Sequence, residues 1–322
     1  MSISTLIRTE GTPWDSLGTR YSRKIVDPHE IVEEAKLNWE VAHEPMYTEK
    51  FGQDHRYWTV YRTDNNKVLG VVNTRAPLVT QNIDMFNSLK PILTDGTIDL
   101  DTTARFGNTD MVFGTFKLSE KFDILGDAVD HYLVIINDHL KPDGRIMVIN
   151  TPVRVACSNA IGSALSKNLY SMRIPVSSYL TANNDHAGHI IMEAQNAIRH
   201  LQSKADKMAT QKLSDSQMDK VIDLILPYPE LDGVTEVSTQ KGEEVEMMRE
   251  IFTKEYLNSD NLQNFKYTNW GVYQAVVDFS QHAWKKVDTA YNLDSRMKKI
   301  PGLGEKTLDQ KYLAFQKDLL AA

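Results

Sequence analysis

Residues 57–73 constrain the fold more than any other stretch. Tyr57–Thr63 (YWTVYRT) and Val68–Asn73 (VLGVVN) are rich in β-branched and aromatic residues, and Asp64-Asn65-Asn66 stands between them. Asparagine and aspartate tolerate left-handed backbone, so the two runs read as an antiparallel hairpin. Its two-residue period places Tyr57 and Tyr61 on one face of the first strand.

Other strands follow from the same signals. Alternating or apolar runs cover Val41–Tyr47, Ile98–Phe106, Met111–Leu118, Val129–Asn137 and Arg145–Asn150. Lys141-Pro142-Asp143-Gly144 separates the last two as a turn. Asp27-Pro28 pairs an N-cap with proline at the first helical position and opens a helix through about Trp39. A short helix is expected over Gln81–Leu89. Strand patterns largely cease after Val155.

From His186 the spacing changes to helical. Ile190, Ala194, Ala197, Ile198 and Leu201 recur on one face, as do Met218, Ile222 and Leu226. Pro227 and Pro229 close the second of these helices, and Leu231–Ser238 is a polar connection. Val245, Met248, Ile251 and Phe252 mark a further helix, and Trp270, Tyr273, Val277 and Trp284 another. A Pro-Gly-Leu-Gly turn at 301–304 and an amphipathic segment to Leu320 follow. The expected class is α+β: an N-terminal antiparallel sheet with flanking helices over residues 1–180, then a helical region over 181–322, packed on the sheet or separate from it.

Thr151–Leu165 (TPVRVACSNAIGSAL) carries the densest candidate chemistry. Arg154, the lone Cys157 and Asn159 sit where a strand meets an expected small-residue helix, Ala160–Leu165, capped by Ser158 and Asn159. Such a corner suits an anionic backbone, or equally a packed structural core. A single cysteine excludes an intramolecular disulfide and points to a reducing compartment. No run approaches a membrane span, and the first residues lack an apolar stretch of signal-peptide length. A cytoplasmic protein is expected.

Charge is uneven along the chain. The whole carries −7, yet Lys141–Lys212 holds nine basic residues against four acids. That asymmetry suits a basic footprint on an acidic protein, or charges spread over solvated helix faces.

Several runs together resemble one family. Thr12-Pro13-Trp14, Leu37-Asn38-Trp39, the hairpin with Tyr61-Arg62-Thr63-Asp64 and Val68-Leu69-Gly70-Val71-Val72, the Arg154-Val155-x-Cys157-x-Asn159 run, and Trp270-Gly271-Val272-Tyr273 are similar to the phage- and plasmid-associated proteins of domain of unknown function 932. The resemblance implies a mobile-element setting inside a bacterial cell and fixes no activity.

Two principal readings follow. The first is a non-enzymatic nucleic-acid-binding protein of phage or plasmid DNA metabolism, resembling single-strand annealing proteins of recombination. It needs basic side chains beside aromatic platforms. The candidates are Arg62, Arg145, Arg154, Asn159, Lys167 and Arg173, with Tyr57 and Tyr61, and Tyr170 and Tyr179 as further platforms. Single-stranded DNA or another nucleic acid is the expected partner, with homo-oligomerisation through sheet edges. The alternative is an interaction or self-assembling protein acting on a phage or host complex.

An enzymatic reading has less behind it. His186 with His189, and Asp130-His131 with His139, offer metal ligands without HExxH, CxxC or a carboxylate cluster. Cys157 lacks a recognisable catalytic setting. Neither GxxxxGK[ST] nor GxGxxG follows a strand, and no cofactor is expected. Ile300–Lys306 resembles a DNA-binding helix–hairpin–helix turn, although a plain interhelical connection is the simpler reading.

Overall fold

The computed structural model describes residues 14, 18–74, 77–141, 143–154, 159–160, 171–175, 185–228, 230–231, 234–235, 240–282, 311–312 and 315. It shows the expected α+β architecture, with antiparallel sheets first and helices after.

Helix α1 (Pro28–Glu34) starts as the sequence requires: the Asp27 side chain accepts from the His29 amide at 3.2 Å and Pro28 fills the first turn. It stops well before Trp39. Lys36 turns left-handed at φ 55°, and the Leu37 amide returns to the Val32 carbonyl at 2.7 Å. That closure satisfies a terminal carbonyl and sends Leu37 and Trp39 into the core.

Strands β2 (Val41–Thr48), β3 (Gly52–Arg62) and β4 (Val68–Asn73) form a small three-stranded sheet in that order. Asn66 supplies the left-handed turn residue at φ 57°. Helices α2 (Asn82–Asn87) and α3 (Lys90–Thr94) come next.

The large sheet contains β1 (Thr19–Arg20), β5 (Ile98–Phe106), β6 (Met111–Ile124), β7 (Asp127–Asn137), β8 (Arg145–Arg154), β9 (Asn159–Ala160) and β10 (Ser171–Pro175). Its order is β1-β5-β6-β7-β8-β10, with β9 also paired to β8. β6 and β7 extend into a long hairpin closed by Leu125 (φ 57°) and Gly126 (φ 87°). Two left-handed residues match the twist of the strands they join. Leucine at the first position gave no turn signal.

Two sequence expectations are corrected here. Asn159 and Ala160 form β9, opposite Arg154 and Val153, where the sequence pattern expects a helix to begin at Ala160. Strands also continue past Val155: β10 pairs along residues 145–149 of β8. Its Arg173 and Pro175 broke the apolar pattern, as suits an edge strand. The expected helix over 161–165, Cys157 and the Pro-Gly-Leu-Gly turn lie outside the described residues.

Both faces of the large sheet are covered. Leu133, Ile135, Ile146 and Val148 pack with Phe86 and Leu89 from the α2–α3 segment, and with α4 (Asp185–Thr210) through Ile190 and Ala194. Tyr132, Val134, Ile136 and Ile149 pack on the other side with Trp14. The Trp14 ring meets Tyr132 edge-on at 4.6 Å, and its Nε1 donates to Asp101 at 2.7 Å.

Further along α4, Ala197, Leu201, Ala205 and Met208 enter a second core. That core includes α5 (Asp215–Ile225), α6 (Gln240–Ile251), a π-helical turn (Phe252–Leu257) and α7 (Asn269–His282). Leu231, expected in a polar connection, lies in a small two-strand pair, β11 (Glu230–Leu231) and β12 (Val234–Thr235). Because α4 enters both cores, the helical region is anchored to the sheet by a continuous helix.

Candidate nucleic-acid interface

The small sheet has one packed face and one open face. Val60, Leu69 and Val72 are buried against the main core. The register places Ala42, Tyr61 and Val68 in one row and Glu44, Thr59 and Val71 in the next, with Tyr57 opposite Asn73. None of these eight residues is buried, and Val68 and Val71 are 57% and 51% exposed. Tyr57 and Tyr61 therefore share the face that looks to solvent. Four residues of strand hold them about 13 Å apart along β3.

Cations and further aromatics stand beside this face. The Arg56 guanidinium lies 5.9 Å from the Tyr57 ring centroid, and Lys50 lies 5.2 Å from that of Phe51. Tyr47 and Phe51 are 68% and 80% exposed near the β2–β3 turn. A hairpin strand beginning at Tyr57 leaves Lys50, Phe51 and Arg56 outside it, and Tyr47 reads only as the end of the preceding strand. Gly52, at φ 70°, was the available turn signal. Arg56 is bound to Asp54 by paired hydrogen bonds of 3.1 and 2.9 Å, which hold that carboxyl below its usual range. Outside the Asp110 cluster, residues 41–73 set Lys50 and Arg56 against Glu44, Glu49 and Asp54, so the surface is aromatic and nearly neutral.

Arg62 is not on it. Being one residue from Tyr61, it points to the opposite, packed face and is buried. Its Nε and Nη2 donate to Asp64 at 2.9 and 2.6 Å, and its Nη1 to Asp110 at 2.9 Å. The guanidinium also stacks 4.2 Å over Trp39. Asp110 receives Lys67 and Arg105 as well, at 2.8 and 2.9 Å. Burial pushes the Asp110 carboxyl up, but the hydrogen bonds from Lys67 and Arg62 and the Arg105 charge hold it below the usual range. This is a structural clamp between the sheets, so the expectation of Arg62 as a phosphate contact is corrected.

Nor do the basic candidates of the middle segment gather into one track. Arg145 and Arg154 end the same strand, and the β8 register runs from 145 to 154 without a shift. An odd separation puts the two positions on opposite faces, about 30 Å apart. Arg173 lies opposite Met147, on the Arg145 side, and donates to both Asp143 oxygens at 2.9 and 3.1 Å. Position 159 is paired with 154, so those two share the face of Val129 and His131. Lys167, Tyr170 and Tyr179 lie outside the described residues.

His131 and His139 belong to the core. His131 is fully buried, meets Phe122 edge-on at 5.8 Å, and neither ring nitrogen has a hydrogen-bond partner. Burial pushes it down to about 3. His139 packs edge-on against Trp39 at 5.2 Å, and burial takes it to about 4. His189 is exposed on α4. Among the described residues no group of three or more His, Cys, Asp or Glu side chains is placed to hold a metal ion, and no helix is long and apolar enough to cross a membrane.

A family model described as Domain of unknown function (DUF932) matches residues 68–300, and the chain belongs to that family. No curated protein matches the chain, and no solved structure does.

Proposed function

We propose that this DUF932 chain is a non-enzymatic, single-strand nucleic-acid-binding protein whose strand lies across the open face of β2-β3-β4. The observation behind this reading is the pairing of Tyr57 and Tyr61 on a solvent-facing sheet surface, with Arg56 at the ring of the first. Aromatic side chains on a sheet offer π-faces to any unstacked base. Their separation of about 13 Å far exceeds the ~3.4 Å rise of stacked bases, so each ring takes a separate base. A duplex keeps its bases stacked inside and presents nothing to either ring.

Near-neutrality shapes the energetics. Affinity falls with salt in proportion to the phosphates neutralised, and this face brings few unpaired cations. Stacking carries the binding, and the salt dependence is shallow. The setting that fits is phage or plasmid DNA metabolism in the cytoplasm of a bacterial host, alongside single-strand annealing proteins.

Fluorescence anisotropy with labelled single-stranded and duplex DNA across a salt series tests the reading. Single-strand binding that weakens in Tyr57→Ala and Tyr61→Ala supports it. No binding at low salt, or binding untouched by both substitutions, overturns it. A second reading, docking on a phage or host protein complex, draws on the exposed Val68 and Val71 of the same sheet.

A further inference from the structure

We infer that two copies of this chain pair antiparallel through the outer edge of β4, joining their small sheets into one six-stranded surface. Among the described residues no strand lies beyond β4. Its outward backbone groups can be assigned: the Thr74 amide donates inward to Arg56 at 2.9 Å. Alternation along the ladder then turns Val72 and Gly70 inward and Val71 and Asn73 outward.

The contrast with the other edges carries the argument. Natural sheets guard open edges with charge, proline, bulges or short strands. β2 has Glu44 and Pro45. β10 has Arg173 and Pro175, and β1 is two residues long. β4 reads VLGVVN, with no charge and no proline; its irregularity against β3 falls at Leu69, so Gly70–Asn73 run regularly, and Val71 is left in water. A regular edge stretch without charge or proline is a template for another strand.

The strand fits its own copy. Around a twofold axis normal to the sheet, Val71 faces Val71 of the second copy and Val72 faces Gly70. No like charges meet, and the two exposed valines cover each other. That axis reverses strand direction while preserving the face, so all four tyrosines emerge on one side. The two β3 strands are three strand spacings apart, about 14 Å. The pairing stands without the nucleic-acid reading; only the joined platform rests on it. The ladder is short, so the dimer is weak and concentration-dependent.

Sedimentation velocity of the full chain without nucleic acid, over a hundredfold concentration range, tests the pairing. The wild type is expected to dimerise. Val71→Lys guards the edge, and Val71→Pro deletes an outward N–H while sparing the inner ladder; each should raise the dissociation constant at least tenfold with an unchanged circular dichroism spectrum. If Val71→Pro fails to fold, Val71→Lys decides. A wild type monomeric throughout, or a dimer unaffected by Val71→Lys, overturns the inference. Since no nucleic acid is present, failure of the stacking reading leaves the result standing.

Discussion

Arg62 Nη1 donates to Asp110 Oδ2 at 2.9 Å, with both side chains almost withdrawn from water. The pair links the small sheet to the β5–β6 turn of the large one. Asp110 is the shared anchor of Arg62, Lys67 and Arg105.

Removing one partner of a buried pair leaves the other charge uncompensated. Asp110→Ala is expected to cost about 3–5 kcal/mol in urea unfolding. Arg62→Ala should cost a similar amount, and the double variant clearly less than the sum. Additive losses would mean the two side chains act independently.

Acid should destabilise the chain well above the carboxylate range. His131 and His139 are held down to about 3 and about 4, against an ordinary value of 6.5. Between 6.5 and those values the unfolded chain binds protons that the native state refuses, so stability falls as pH falls. The full contribution is present above 6.5. Asp110, also depressed, adds to the loss at lower pH. Urea midpoints from pH 7.5 to 4 should decline, and His131→Leu should flatten the slope; an unchanged slope would refute the assignment.

Each tyrosine on the open face contributes separately to strand binding. Truncation of a stacking platform costs about 1–3 kcal/mol per base, so Tyr57→Ala and Tyr61→Ala should each weaken single-strand binding roughly 5- to 150-fold. Tyr57→Phe keeps the π-face and should bind within about twofold of wild type. Anisotropy titrations read all three, and a Tyr57→Phe loss equal to that of alanine would point to the hydroxyl instead.

Arg145 and Arg173 share a sheet face distinct from that of position 154. The proposed surface includes none of the three. Arg145→Ala and Arg173→Ala should leave single-strand affinity within about twofold, and loss of the exposed Arg173–Asp143 pair should cost no more than about 1 kcal/mol. A large affinity loss in either variant would move the interface to the large sheet.

Gly271 near the start of α7 has a packing reason. A Cβ there would lie 2.1 Å from the Phe265 carbonyl oxygen, which is backbone and cannot swing aside. Gly271→Ala should destabilise by about 1–3 kcal/mol through forced backbone movement. Thermal unfolding measures this, and a neutral outcome would show that the 3-10 turn at Asp260–Phe265 yields easily.

What the sequence determined was period and punctuation. The Asp64–Asn66 turn, the alternation in β3 and the 3.6-residue spacing of α4 are local properties, and each produced the expected element. Even the separation of Arg62 from the tyrosines was implicit in their odd spacing. Tertiary structure alone decided which face of each strand meets water. Val60 and Val72 are covered while Val71 is open because distant helices pack on one side of the sheet. It also ran β8 straight from 145 to 154, placing the expected basic track on two faces. Burial and face depend on what packs from elsewhere in the chain, whereas strand parity is set by neighbouring residues.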